Sequence, residues 1–460
     1  MASALTFFLA SVRKTALSTH RNPSTRFTLV LGNPSCDLDS FVSAVVFSFF
    51  HSQNVRRQNQ GAEHVYVPLM NLPTVQSTEL WRLRPEFGAA LSLAARTTGD
   101  AELLSGEGHE AARGLLKNLI TIADLTSTPS SPLSATFVKE EGRIGSGSSE
   151  NEQKQAIVLV DHNVPSVAGL SKDQLSSKFN LVGCIDHHAD ELSIPGDASP
   201  RIIQTGIGSC TSLVVQHLRN ENIWSAPSQQ PESDKPTLTE LACLALAPIL
   251  MDTFNLKAPG DKCSETDRDA VAFLESHLNT STWDRDAFFN AISHSNSNSL
   301  DLLNMPDIFE RDFKGWTEIS ASSGQQLNIG ISSLVRSIPW LVKKVGSPEM
   351  LANSIHQFAR ETNHKLDIVA LITRSSGPNG EFRKELVVVA FGEVAAKALE
   401  IFEENMTEDL KLIPWREDEG LLKAMEQKVA GDGAYRIWWQ GDTQKSRKQV
   451  APALREAVRV

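Results

Sequence analysis

Four acidic clusters in the chain each follow an apolar run: Asp37-Leu38-Asp39, Asp161-His162-Asn163, Asp186-His187-His188 and Asp252-Thr253. Three or four carboxylates with one or two imidazoles form a hard-to-borderline donor set, which suits Mg²⁺ or Mn²⁺ far better than a thiolate metal. Two such ions roughly 3.5–4 Å apart share a bridging carboxylate, lower the pKa of a bridging water and clamp phosphoryl oxygens during in-line attack. The chemistry to expect is phosphoryl hydrolysis. Asp37 and Asp39 lie two apart, so in an extended segment their side chains point the same way and can serve neighbouring ions.

Taken singly, each cluster has a more ordinary explanation. An Asp-x-Asp in a loop is more often a turn or a cap, and Asp39-Ser40 could simply cap the helix that follows. An Asp-His pair at a strand end is mostly a loop feature, and Asp252 could be a residue of a helix C-terminal loop. What outweighs these explanations is coincidence, since four clusters fall at four expected strand or helix ends.

The elements that must position them read as follows. Arg26 to Leu31 is a β-type run, followed by a Gly32-Asn33-Pro34-Ser35 turn and an apolar helical stretch from Ser40 to Phe50. Ala156 to Val160 and Leu181 to Ile185 are two more short apolar runs, the signature of buried parallel strands. In an open parallel sheet the residues just past the C-terminal strand ends converge on one crevice. Leu241 to Met251 is a helical run of mostly small apolar residues ending at Asp252. Beyond about residue 300, strands at Gln326 to Leu334, Asp367 to Thr373 and Glu385 to Phe391 alternate with helices at Pro348 to Glu361 and Glu393 to Glu403. Ser375 to Gly380 is a turn joining two of these strands. The expectation is an α/β protein with an N-terminal parallel-sheet domain over residues 1–300 and a smaller C-terminal α/β domain over 301–460. The polar tract 127–155 reads as a disordered surface insertion and Ser225 to Pro236 as a loop.

A net charge of −11 over 460 residues argues against a general binder of nucleic-acid duplex, which would carry a basic face. It leaves a polyanionic substrate open, because bound divalent cations and a local basic patch dominate the field at a site. Five cysteines without C-x-x-C spacing imply neither a disulfide framework nor a structural zinc site, and fit a reducing compartment. No stretch approaches the roughly 20 apolar residues that span a bilayer, so a soluble, cytoplasmic protein is expected. The first 26 residues, with Arg13, Lys14, Arg21 and Arg26 and no acid, have the composition of a mitochondrial presequence. The preferred reading is an amphipathic helix that packs Leu5, Phe8, Leu9 and Val12 on the domain.

The strings GNPSCDLDS, VDHN, IDHHADE, GIGSCTS and ILMDTFN, in that order, resemble the motif series of the DHH phosphoesterase superfamily. DFKGW, IGISSL and SRKQVAP resemble its DHHA2 branch, which contains fungal exopolyphosphatases, prune-type phosphodiesterases and manganese-dependent pyrophosphatases. The resemblance runs from about residue 27 to 455 and implies a DHH domain followed by a DHHA2 domain. It implies two divalent cations, Mg²⁺ or Mn²⁺ with Co²⁺ as a further option. Asp37 would ligate one and Asp39 the other, Asp161 and Asp252 would bridge, and His187 would complete the second site. His188 would face substrate phosphate, and Asp186 would orient an imidazole. His162 and Asn163 are expected to fix their loop.

Asn33 stands where the pyrophosphatases carry a histidine ligand. An amide oxygen there would make the first site more tolerant of Mg²⁺, and with Asp161 and His188 it completes the expected catalytic set. Lys314, Arg447 and Lys448 match substrate-binding basic positions of the branch, where an arginine can grip phosphate with two parallel hydrogen bonds. Arg336, Lys343 and Lys344 are further candidates for a basic channel. Gly206 to Ser212 could cradle a phosphate at a helix N-terminus, but a structural role is preferred, with Ser209 or Thr211 capping the helix through His217. The implied activity is that of an exopolyphosphatase of the fungal type, which releases orthophosphate from the end of inorganic polyphosphate with water activated by two metals. The alternatives are a prune-like phosphodiesterase of nucleotides or short polyphosphates, an inorganic pyrophosphatase, or a non-catalytic interaction protein.

Overall fold

The computed structural model describes residues 3–18, 25–58, 64–96, 108–137, 154–279, 281–297, 300–301, 303–361, 364–377, 380–429 and 431–460. They belong to two compact units, Met1–Ser299 and Leu300–Val460.

The first unit is built on a parallel sheet of six strands: β1 (Arg26–Leu31), β2 (His64–Met70), β3 (Ile120–Thr121), β4 (Gln155–Val160), β5 (Phe179–Asp186) and β6 (Arg201–Ile203). Their order is β3-β2-β1-β4-β5-β6, and every pairing is parallel. The chain winds outward from β1 in one direction and from β4 in the other, so the switch point lies between these two strands. Leu29 to Leu31 and Leu159 to Val160 are at most 1% exposed, as expected of strands covered on both faces. Helix Lys235–Asp252 is apolar nearly all round, with Leu241 to Ala247 buried, which makes it an interior helix.

Strands β1, β4 and β5 coincide with the apolar runs of the sequence; β2, β3 and β6 do not announce themselves. Pro68 inside β2 argues against a central strand. It is tolerated because β3 joins only at Leu69 and Met70, so Pro68 lies where β2 is still an edge. With two and three residues, β3 and β6 are too short to show a period.

Helix Ala4–Ala16 buries Leu5, Phe8, Leu9 and Val12, and Arg13 donates to Asp124 at 2.9 Å. The expected disordered insertion needs correction at its start, because Leu133 and Phe137 are buried and Ser131 Oγ donates to Ala16 O at 2.7 Å. Gln155 belongs to β4, and 138–153 lie outside the described residues. The expected loop from Ser225 to Pro236 contains two 3₁₀ turns, Pro227–Gln229 and Glu232–Asp234, and helix Lys235–Asp252 already begins at its end.

The second unit carries a mixed sheet of β7 (Phe313–Ile319), β8 (Gln326–Leu334), β9 (Ile368–Thr373), β12 (Glu385–Ala390), β13 (Leu412–Pro414) and β14 (Ala434–Gln440), with a hairpin of β10 (Ser375–Ser376) and β11 (Phe382–Arg383) beside it. The order is β13-β14-β12-β9-β8-β7; β8 and β9 run parallel and the other neighbours antiparallel. Glu385 is fully buried and accepts from Ile338 N at 2.7 Å, Thr373 Oγ1 at 2.6 Å and Trp415 Nε1 at 3.2 Å. Burial raises its pKa, and these three donors satisfy a carboxyl that would otherwise destabilise the core.

Behind the first sheet, Phe47, His51 and His217 form a stack: Phe47 and His51 ring centres are 4.0 Å apart, and His51 and His217 lie 5.5 Å apart at 11°. The Nε2 atoms of His51, His217 and His277 are buried without a hydrogen-bond partner. Burial lowers His51 and His277 to about 4 and lowers His217 as well. The His51 and His277 rings therefore stay neutral in the folded protein down to about pH 4, whereas unfolded histidine takes up a proton near pH 6.5. Their contribution is therefore complete above about pH 6.5 and is lost as pH falls toward 4. Denaturant titrations between pH 4 and 8 are expected to give a shallower pH dependence for His51→Phe than for the parent; parallel profiles would contradict the assignment.

Candidate functional site

The loop after β1 turns back sharply on the helix Leu38–Gln58 that follows it. A Cβ on Gly32 would lie 2.6 Å from Ser40 Cβ, so only glycine allows that approach. Asn33 Oδ1 accepts from Ser35 N at 2.8 Å and Cys36 N at 3.1 Å. Asp37 is exposed and accepts from Ser40 N at 3.0 Å, so Asp37, not Asp39, caps its own helix. Asp39 is buried and accepts from Cys210 N at 2.6 Å, Thr211 N at 2.9 Å, Thr211 Oγ1 at 2.7 Å and Ser209 Oγ at 2.8 Å.

A carboxylate remote in sequence thus caps helix Cys210–Asn220, whose own Ser209 makes no side-chain cap. The expectation of a Ser209 or Thr211 cap is corrected accordingly. The physical reason is that an anion suits the positive end of a helix better than a hydroxyl does. Asp267 fills the rest of the glycine-rich segment, accepting from Gly208 N at 2.9 Å, Ser209 N at 3.3 Å and Ser212 Oγ at 2.7 Å. These amides are committed to two aspartates.

At the end of β4, Asp161 has φ 62° and is 2% exposed. Its Oδ2 accepts from Asn33 Nδ2 and Ser40 Oγ, both at 2.7 Å. Its Oδ1 faces His187 Nε2 at 3.2 Å and His188 Nδ1 at 3.9 Å. At the end of β5, Asp186 accepts from His188 Nδ1 at 2.8 Å and Asn163 Nδ2 at 2.5 Å. Burial alone would raise Asp186, but these hydrogen bonds and the imidazole charges hold it well below the usual carboxylate range. Asn163 also donates to Ala189 O and accepts from Glu191 N, while His162 Nδ1 lies 3.0 Å from Val160 O.

In this structure the amide oxygen of Asn33 faces its own turn. The buried N–H groups of Ser35 and Cys36 require an acceptor and take that oxygen, which leaves the NH₂ end toward Asp161.

His187 Nδ1 lies 2.9 Å from Ile207 O. A carbonyl only accepts, so Nδ1 is the donor, and in the neutral ring Nε2 carries the lone pair. That lone pair meets a carboxylate oxygen, a contact that is favourable only with a cation or a proton between them. The ligand atoms of Asp161, His187 and His188 lie within 4.8 Å of one another, a grouping that could hold a metal ion. Burial first, then the charge of Asp37, raises Asp161 to about 7. Burial, then Asp37, raises Asp39 despite the opposing His187.

Asp252 is raised by the protein packed around it, although its side chain keeps solvent contact, and next by Asp39 and Asp37. It ends helix Lys235–Asp252, and after Thr253 come three residues in the left-handed region, Phe254, Asn255 and Leu256. Thr253 Oγ1 secures this turn by accepting from Leu256 N and donating to Ile249 O. Mutually repelling carboxylates and a lone-pair imidazole fit divalent cations. Asp37, Asp39 and Asp252 feel each other's charge, but the tight grouping is that of Asp161, His187 and His188.

In the second unit Arg447 opens helix Arg447–Arg459 and is tied to Asp312, through Asp312 O at 2.8 Å and Oδ1 at 2.9 Å. Lys314, two residues on, is half-buried in β7, and Lys448 is exposed. Arg336 and Lys344 both engage Asp301 and lie over Trp340, and Lys343 is exposed. Ser40, Asp267 and Arg84 are contacts of the loops that sequence reading missed. Ser40 had a signal, its place directly after the Asp-Leu-Asp run; the other two had none.

Over residues 28–249 the chain matches the DHH family, N-terminal domain, and over 290–457 the DHHA2 domain. It is 29% identical over 433 residues to the “Putative exopolyphosphatase” of Schizosaccharomyces pombe, spanning 94% of this chain and 91% of that protein. It is 23% identical over 442 residues to the human “Exopolyphosphatase PRUNE1”, spanning 94% and 75%. A solved structure described as a “putative family II inorganic pyrophosphatase” of Methanococcus jannaschii resembles it at a TM-score of 0.49 and 17% identity, covering 94% of this chain and 99% of that one. The chain thus carries a DHH family N-terminal domain followed by a DHHA2 domain.

Proposed function

We propose that the protein is a metal-dependent exopolyphosphatase that hydrolyses the terminal phosphoanhydride bond of inorganic polyphosphate and releases orthophosphate. The observation that carries the reading is the lone pair of His187 Nε2 facing Asp161 Oδ1 among the carboxylates Asp37, Asp39 and Asp252. Asp37, Asp39, Asp161, Asp252 and His187 would hold two divalent cations, Mg²⁺ or Mn²⁺. When bound, the cations supply charge that clamps phosphoryl oxygens and acidity that makes water a nucleophile at neutral pH. Polyphosphate as substrate rests on the names of the relatives.

The chain's own groups have distinct tasks. Asn33 and Ser40 fix Asp161 through one oxygen and leave the other toward the imidazoles. His188, with Nδ1 donating to Asp186, would donate from Nε2 to a phosphate oxygen when its ring is protonated. Lys314, Arg447 and Lys448 are the phosphate-binding cations. The deciding experiment is orthophosphate release from long-chain polyphosphate, pyrophosphate and a nucleotide, each with Mg²⁺, Mn²⁺ or Co²⁺. Preference for pyrophosphate or the nucleotide would replace the substrate assignment, and no turnover together with no metal binding would leave an interaction protein.

Asp161→Ala is expected to remain folded and to abolish turnover. Activity within about tenfold of the parent under matched metal, which is only about 1.4 kcal/mol of barrier, would sink the assignment.

Arg447→Ala is expected to raise KM, with kcat falling as well if the guanidinium acts on charge that develops in the transition state. Arg447→Lys should recover part of the loss, since an ammonium keeps the charge without the fork. Parental steady-state kinetics for both Arg447→Ala and Lys448→Ala would place these residues outside the phosphate-binding set.

A further inference from the structure

Arg84 is 5% exposed, and its guanidinium donates to three backbone carbonyls: Nε to Cys36 O at 3.1 Å, Nη2 to Ser35 O at 2.8 Å and Nη1 to Leu83 O at 3.0 Å. A buried guanidinium is tolerated only when its donors are satisfied. Here two of its acceptors are the peptide carbonyls immediately ahead of Asp37. Between them Cys36 has φ 46°, a conformation that a non-glycine residue holds only when its surroundings enforce it. It brings the chain out of the Asn33-Pro34 turn and into the helix that Asp37 caps.

The same two residues are held from their other polar side. Ser35 N and Cys36 N both donate to Asn33 Oδ1, so the N–H groups of Ser35 and Cys36 are fixed by an amide and their carbonyls by a guanidinium. Arg84 itself arrives from a rigid place. It ends the short helix Leu80–Leu83, with its own N–H on Leu80 O at 2.7 Å. Pro85, which cannot continue that helix, opens the next one, Pro85–Arg96. One turn on, Phe87 stacks on Phe41 at 4.4 Å and 22°, joining the start of that helix to the start of helix Leu38–Gln58.

We propose that Arg84 is a positioning residue, gripping the Ser35 and Cys36 carbonyls so that Asp37 is presented to a divalent cation in a preformed loop. The inference rests on the metal-dependent reading above and adds a residue to it. Its consequence is a split between cation affinity and turnover: loosening the loop weakens cation binding, while saturating cation restores the rate.

The test uses the full chain and Mn²⁺ alone as the probe. Arg84→Lys keeps the charge but cannot bridge two carbonyls with a planar fork. It is expected to lower Mn²⁺ affinity by about tenfold or more, since losing a group that orients a metal ligand typically costs about 10–100-fold in affinity. Amide exchange should accelerate over residues 33–38 while β1 and β4 keep parental protection, and kcat on polyphosphate should return toward the parental value at saturating Mn²⁺. Parental Mn²⁺ affinity together with parental exchange over 33–38 would overturn the proposal.

If Arg84→Lys does not fold, the parent provides the second measurement. Without metal, its amides over 35–38 should already be protected and should change little when Mn²⁺ is added; fast exchange there would equally overturn the clamp. A parent that binds no Mn²⁺ yet shows a protected loop would instead sink the metal-dependent reading and, with it, a role for the clamp in cation binding.

Discussion

Like charge held close together is the constraint around which the first unit is arranged. Asp37 lies near enough to Asp39, Asp161 and Asp252 to disfavour their ionisation, and Asp39 and Asp161 are cut off from water as well. The two buried ones receive separate forms of relief. Asp39 has the positive end of a helix and three hydroxyl or amide neighbours. Asp161 has an amide and a hydroxyl, and Asp186 nearby has an imidazole and an amide. None of these groups is a lysine or arginine making an ion pair with a carboxylate. A fixed cation of that kind would neutralise the cluster in the way a divalent ion does and would compete with it.

The parallel sheet explains how such a cluster is assembled from distant segments. Strands β1, β4 and β5 are adjacent and point the same way, so the loops carrying Asp37, Asp161 and Asp186 leave one edge of the sheet together. Asp252 comes from the end of a helix instead. Cations are placed differently in the second unit. Arg447 is held against Asp312, two residues from Lys314, so one carboxylate orders the guanidinium and at the same time competes with any phosphate for it.

How much of this could be read in advance depends on where each group finds its partner. β1, β4 and β5 were legible because a buried strand must be apolar throughout, and Asp161, Asp186 and the two imidazoles stand at the points where that apolarity stops. The orientation of Asn33 was not legible, since a sequence gives an amide both a donor and an acceptor end and only the turn decides which end is used. Asp39 reads as a local cap in sequence, yet its helix begins 171 residues later at Cys210. Arg84 left no trace, because its acceptors are main-chain carbonyls and every residue has one. β2 was hidden by a proline that only the shortness of β3 makes acceptable.

The turn after Asp252 has a consequence of a different kind. Phe254, Asn255 and Leu256 are consecutive, none is glycine, and all three occupy the left-handed region, where a residue with a side chain costs roughly 1–2 kcal/mol. Such a turn is a loaded spring, kept closed by Thr253 and by Asn255, whose side chain donates to Asp286. Warming works against the closure locally, while the sheet is held by a far larger apolar core. Heat denaturation of this protein should accordingly be a two-stage process: the end of helix Lys235–Asp252 loosens first, reversibly, in a molecule whose strands are still intact.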